Sequence, residues 1–178
     1  MGIMEEVKDA DWKKVPIYRE SAVYAREHGQ LEQYRESNRA SNICKQAIEE
    51  TIRKNFDGMR LTAGCEKPVI EMFGSDRGEY VLSVTLQQKS WDWRFGKDNL
   101  EWAKSVAVKP DVSALGNDRN MWLVVDSHPA VLDGFVRHAR KSIEEVRNPT
   151  LKQQLEKAKS MVKAPEPREA GKRAQEAR

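Results

Sequence analysis

The sequence predicts a mainly α fold, a helical hairpin over about residues 17–55 packed on several shorter helices, with room for one small strand pair. Two observations carry this. Over 31–55, Leu31, Tyr34, Ala40, Ile43, Cys44, Ala47, Ile48, Thr51 and Ile52 fall largely at spacings of three and four, which puts them on one helical stripe. Over 129–146, Val131, Leu132, Phe135, Val136, Ala139 and Ile143 repeat the pattern behind a proline suited to a first turn.

Taken in order, residues 1–14 read as a mobile lead-in. Pro16 suits a helix start, so Ile17–His28 read as the first arm of the hairpin, stopped by Gly29. The second arm, Leu31–Asn55, ends at Asn55-Phe56-Asp57-Gly58, after which Phe56, Met59 and Leu61 are expected to fold back onto the core. Pro68–Phe73 read as a short helix closed by Gly74. Residues 79–89 alternate well enough for a strand, yet Ser75 and Asp76 can cap a helix there, and helix is favoured. Asp98 is the expected N-cap of a helix over 99–105, 108–120 read as a loop, and 121–125 as a short apolar run. Leu151, Leu155, Ala158 and Val162 have helical spacing after Asn148-Pro149. The expected organisation is one globular helical domain over 1–147, then a basic C-terminal helix and disordered tail over 148–178.

At 39% hydrophobic and 33% charged, the chain is too apolar for full disorder. No apolar run approaches the roughly 18 residues a membrane helix needs, and the acidic N-terminus lacks the apolar segment of a secretory signal. Two cysteines without metal-like spacing read as reduced thiols of a cytoplasmic protein, and no cofactor or metal motif is legible. Residues 137–178 hold 12 Lys/Arg against 6 Asp/Glu, while 1–136 hold 19 against 22. The basic end suits contact with nucleic acid, or simply solubilises the chain.

Three groups of residues could carry chemistry. Tyr18-Arg19-Glu20-Ser21 and Tyr34-Arg35-Glu36-Ser37 repeat one phrase on the two hairpin arms. Their rings and cations, with Arg26, Arg137, Arg140 and Lys141, suit RNA or protein contact, or the tyrosines pack in the hairpin seam. His28, His128 and His138 are the candidates for acid and base in metal-independent RNA cleavage, and each also suits a cap or surface position. Trp91, Trp93 and Trp102, with Arg94 and Phe95, read first as a core of large rings and otherwise as an exposed partner patch.

The phrases IYRESAVYAREHGQLEQYRES, NICKQAIEETIRKNFDGMRL, EYVLSVTLQQKSWDWRF and VVDSHPAVLDGFVRHAR together resemble a family known only as a domain of unknown function, encoded on conjugative and other mobile elements of Firmicutes. The resemblance spans roughly 14–142 and is strongest over 16–61. It implies a mainly helical cytosolic domain and brings no catalytic residues. Proteins of this size from such elements include anti-CRISPR inhibitors of Cas9, some of which cause guide RNA truncation. The expected function is therefore an anti-defence protein acting on Cas9 and its guide RNA. The alternative is a non-enzymatic interaction module of a mobile element. No recognition helix of a DNA-binding regulator stands out.

Overall fold

The computed structural model describes residues 1–106, 124 and 128–162. Among these residues the protein is all helix: α1 (Ile3–Glu6), a 3-10 turn (Trp12–Lys14), α2 (Ala22–Glu27), α3 (Leu31–Asn55), α4 (Lys67–Phe73), α5 (Ser75–Gln88), α6 (Lys97–Ser105), α7 (Pro129–Arg147) and α8 (Leu151–Val162). The small strand pair reduces to one isolated antiparallel bridge, Phe56 with Leu61. The loop expected over 108–120, the run at 121–123 and the tail from 163 lie outside the described residues.

α5 is the centre. Arg77, Gly78 and every residue from Tyr80 to Leu86 are buried, the pattern of a helix enclosed on all sides. It packs against α3, α4, α6 and α7. The helical alternative for 79–89 is thus the one realised, because no face of the segment is left to solvent. Gly74, at φ 84°, is the single residue between α4 and α5 and supplies the left-handed backbone that so tight a corner needs. Ser75 and Asp76 lie inside the first turn of α5, and no side chain caps it.

α3 lays its predicted stripe, Ala40, Cys44, Ala47, Ile48 and Ile52, into the core. α7 adds Leu132, Phe135, Val136, Ala139 and Ile143. Val124 is fully buried, its N–H donating to Thr85 Oγ1 (3.2 Å) and its carbonyl accepting from Lys89 Nζ (2.7 Å).

Three expectations are corrected. The first hairpin arm is only α2; residues 16–19 are irregular. The Val15 and Pro16 carbonyls accept from Arg77 Nη2 at 2.8 and 3.2 Å, and the Tyr18 N–H donates to Ser37 Oγ at 2.9 Å. These long-range bonds to α5 and α3 hold the segment in a non-helical course. Ser21 caps α2 instead, accepting from the Tyr24 N–H at 3.1 Å.

The first fourteen residues make contacts with the body of the protein. The Ile3 N–H donates to Glu50 Oε2 (2.6 Å), and buried Trp12 donates to the Val7 carbonyl (2.9 Å) with its ring 6.1 Å from Phe73. Met59 is 86% exposed, while Leu61 packs on the core. α6 begins at Lys97 behind Gly96, not at an Asp98 cap, because Asp133 on α7 takes the Gly96 N–H at 2.7 Å.

Arg77→Met should leave four oxygens on two segments without their donor and lower stability by about 3 kcal/mol, measured by chemical denaturation. Burial pushes the Cys44 thiol up to about 12. At pH 8 it should resist alkylation in the native protein and react fully once unfolded, as read by mass spectrometry.

Candidate interaction site

The turn joining α5 to α6 carries Trp91-Asp92-Trp93-Arg94. Its aspartate is buried and its tryptophans are not: Trp91 is 79% and Trp93 88% exposed. The expectation of a core built from the rings fails here, although Phe95 is buried and Trp102 half-buried. The reason is local. Asp92 Oδ1 accepts from the Arg94 N–H (3.0 Å) and Nε (2.9 Å), and Oδ2 accepts from Nη2 (2.7 Å). This two-pronged ion pair turns the aspartate inward. The hydrogen bond from the Arg94 side chain holds the Asp92 carboxyl at about 2, below the usual range. The flanking indoles point away from the clamp and into solvent.

Tyr18, Arg19, Tyr34, Arg137 and Arg140 are engaged within the fold. Tyr18 and Tyr34 meet edge-on at 5.9 Å, so the repeated phrase builds the seam between the α2 region and α3. The Tyr18 hydroxyl donates to Gln30 Oε1 at 2.9 Å, and Arg19 lies 5.3 Å over the buried Tyr80 ring. Arg26 and Arg35 are exposed. On α7, Arg137 donates to Asp133 (3.2 Å), and Arg140 donates to Asp98 (3.2 Å) and Asn99 Oδ1 (2.7 Å) beneath Trp102. Lys141 is exposed beside them in a cleft of about 430 Å³ that Glu79, Asp98 and Glu144 also line, so the basic face is largely neutralised by its neighbours.

The three histidines sit on separate supports. His28 ends α2, its ring stacked on Tyr24 at 3.8 Å. His128 caps α7, Nδ1 accepting from the Ala130 N–H at 3.3 Å. His138 lies ten residues further along the same helix, about 15 Å from His128 by helical rise. Its Nδ1 faces Glu66 Oε2 at 4.0 Å, both atoms buried without a hydrogen bond, while Ser142 Oγ donates to Glu66 Oε1 at 2.5 Å. His128 and His138 therefore do not form one acid–base pair. Among the described residues no group of three His, Cys, Asp or Glu side chains could hold a metal ion, and no helix is long and apolar enough to cross a membrane.

The exposed pair was legible as composition but not as exposure. Trp-Asp-Trp-Arg sits between helices, where periodicity gives no inward face. The alternation of rings with charges was the available signal.

A family model described as a protein of unknown function (DUF3849) matches residues 17–144. That span takes in the tryptophan turn and stops short of α8. No curated protein matches the chain, and no solved structure does.

Replacing Trp91 and Trp93 together by Ala should change stability by less than about 0.5 kcal/mol, since exposed rings contribute little to the core. Thermal melting checks this. The Asp92 clamp stabilises the turn fully above the ordinary carboxylate pKa of about 3.9. That contribution should fade as the pH falls through about 2. Sharpening of the Trp91 and Trp93 indole N–H signals in acid would report the loss.

Proposed function

The chain belongs to the DUF3849 family, and from that footing we propose that it is a binding module whose Trp91–Trp93 turn docks on a partner protein. The observation that carries the reading is the pair of exposed indoles on either side of Asp92, whose buried carboxylate is paired with Arg94 within the same turn. Large, rigid rings presented on a fixed turn are the side chains that most often anchor protein interfaces, and prior ordering reduces the entropy lost on binding. The separation of His128 from His138 on α7 also favours binding over acid–base chemistry.

The partner proposed for the first test is a Cas9–guide RNA complex, the protein being an anti-defence factor of a mobile element. The net positive charge of the C-terminal end supports a nucleic-acid component in the target. In this reading inhibition is by docking. Guide-RNA cleavage by His28, His128 or His138 is its enzymatic variant.

The experiment incubates purified protein with Cas9 and labelled guide RNA, then reads target-DNA cutting and guide length. Blocked cutting with intact guide, lost in the Trp91→Ala/Trp93→Ala variant, is the expected result. Shortened guide that an Ala substitution at one histidine abolishes would replace docking by the ribonuclease variant. Normal cutting with intact guide would remove the anti-Cas9 reading.

A further inference from the structure

α8 turns its apolar side outward. Leu151, Leu155, Ala158 and Val162 follow spacings of four, three and four, the seam of a two-helix coiled coil. All are exposed: Leu151 84%, Leu155 56% and Val162 84%, with Ala158 also on the surface. No residue of α8 is buried. Meanwhile Gln153, Gln154 and Lys157 line a cleft of about 680 Å³ shared with Ile70 on α4 and Val146 on α7. At about 100° per residue, Gln153 and Lys157 fall well around the helix from the seam, while Gln154 borders it beside Ala158. Gln153 and Lys157 thus look toward the domain while Leu151, Leu155 and Val162 face solvent, the reverse of the apolar residues of α3 and α7.

We propose that α8 is a docking helix that pairs through this seam with an acidic amphipathic helix of a partner protein. Charge complementarity chooses that occupant. Lys152 and Lys159 lie seven residues apart and so flank the seam at the same heptad position. Glu156 is the single acid of the helix, and the third cation, Lys157, faces the cleft of its own domain. Flanking charges of this kind select partners of opposite sign and disfavour antiparallel pairing with a second copy, which would set lysines against lysines. The seam is also narrow, two leucines, an alanine and a valine without an aromatic ring, which suits one facing helix better than a bilayer surface. The surface is carried by a different element from the tryptophan turn, and the inference does not rest on that turn's function.

The test uses the full chain and a synthetic helical peptide with Leu at both seam positions of each heptad and Glu at the flanking positions. Such a peptide repels itself and stays monomeric. A twin carries Lys in place of Glu. Fluorescence anisotropy should show the acidic peptide binding and the twin at least about tenfold weaker, a difference of about 1.4 kcal/mol. Leu155→Asp should abolish binding without moving the melting temperature, and Lys152→Glu with Lys159→Glu should reverse the preference toward the twin. The Trp91→Ala/Trp93→Ala variant should bind the acidic peptide normally. Equal binding of both peptides, or binding of neither, overturns the proposal. So does a dimer in sedimentation that Leu155→Asp dissolves, which gives the seam to a second copy. Anionic vesicle binding lost in the same variant, without peptide affinity, would assign the seam to a membrane. A large drop in melting temperature for Leu155→Asp would mean that the seam is packed within the fold.

Discussion

Arg77 carries a full positive charge into the core, and no carboxylate among the described residues pairs with it. Its guanidinium is 2% exposed and is satisfied by neutral oxygens alone: the Ser37 carbonyl, Ser41 Oγ, and the carbonyls of Val15 and Pro16. Burial pulls its pKa down from the ordinary value. An ionised group so enclosed is tolerated only when its hydrogen bonds are complete. That requirement holds α5, the middle of α3 and the 15–18 segment in one arrangement. It explains why the chain before α2 is not helical, and why the N-terminal turn with Trp12 is drawn onto Phe73.

With α5 fixed in the centre, the other helices act as its cover. α3 and α7 each bring one apolar stripe, and α4 folds back through Gly74 so that Ile70 meets Gly78, where a Cβ would lie 3.8 Å from its side chain. At the far end, Thr85 and Lys89 hold the backbone of Val124, and Gln87 donates to the Ala103 carbonyl on α6 at 2.6 Å. Polar residues of α5 thus tie down its neighbours while its apolar residues fill the core. The turn that follows carries no such burden. Its ion pair is internal, which leaves the tryptophans free to serve a partner.

The two proposed interaction surfaces arise from opposite relations to the core. The tryptophan turn lies between two helices, closed on itself by the Asp92–Arg94 clamp, with its rings outside the core. α8 is exposed because its polar side faces the cleft beside α4 and α7, leaving its leucines outside. Arg137, Arg140 and Arg147 on α7, by contrast, pair with Asp98, Asp133, Asp76 and Glu79. Exposed pairs of this kind are weak and screened by salt.

Periodicity by itself determined the mainly helical class, the full length of α3, the apolar faces of α3 and α7, and the seam of α8, because helical spacing is a local property of the chain. The repeated Tyr-Arg-Glu-Ser phrase announced a seam, and Tyr18 on Tyr34 is that seam. Only tertiary structure decided the rest. Pro16 and Ile17 carry good helix-start signals, yet long-range bonds to Arg77 and Ser37 claim the backbone there. Asp98 looks like a cap, yet Asp133, from a helix more than thirty residues away, reaches Gly96 first. Tryptophan is large and apolar and reads as core. Whether a ring is buried depends on where the neighbouring helices end, and no pattern in Trp-Asp-Trp-Arg records that.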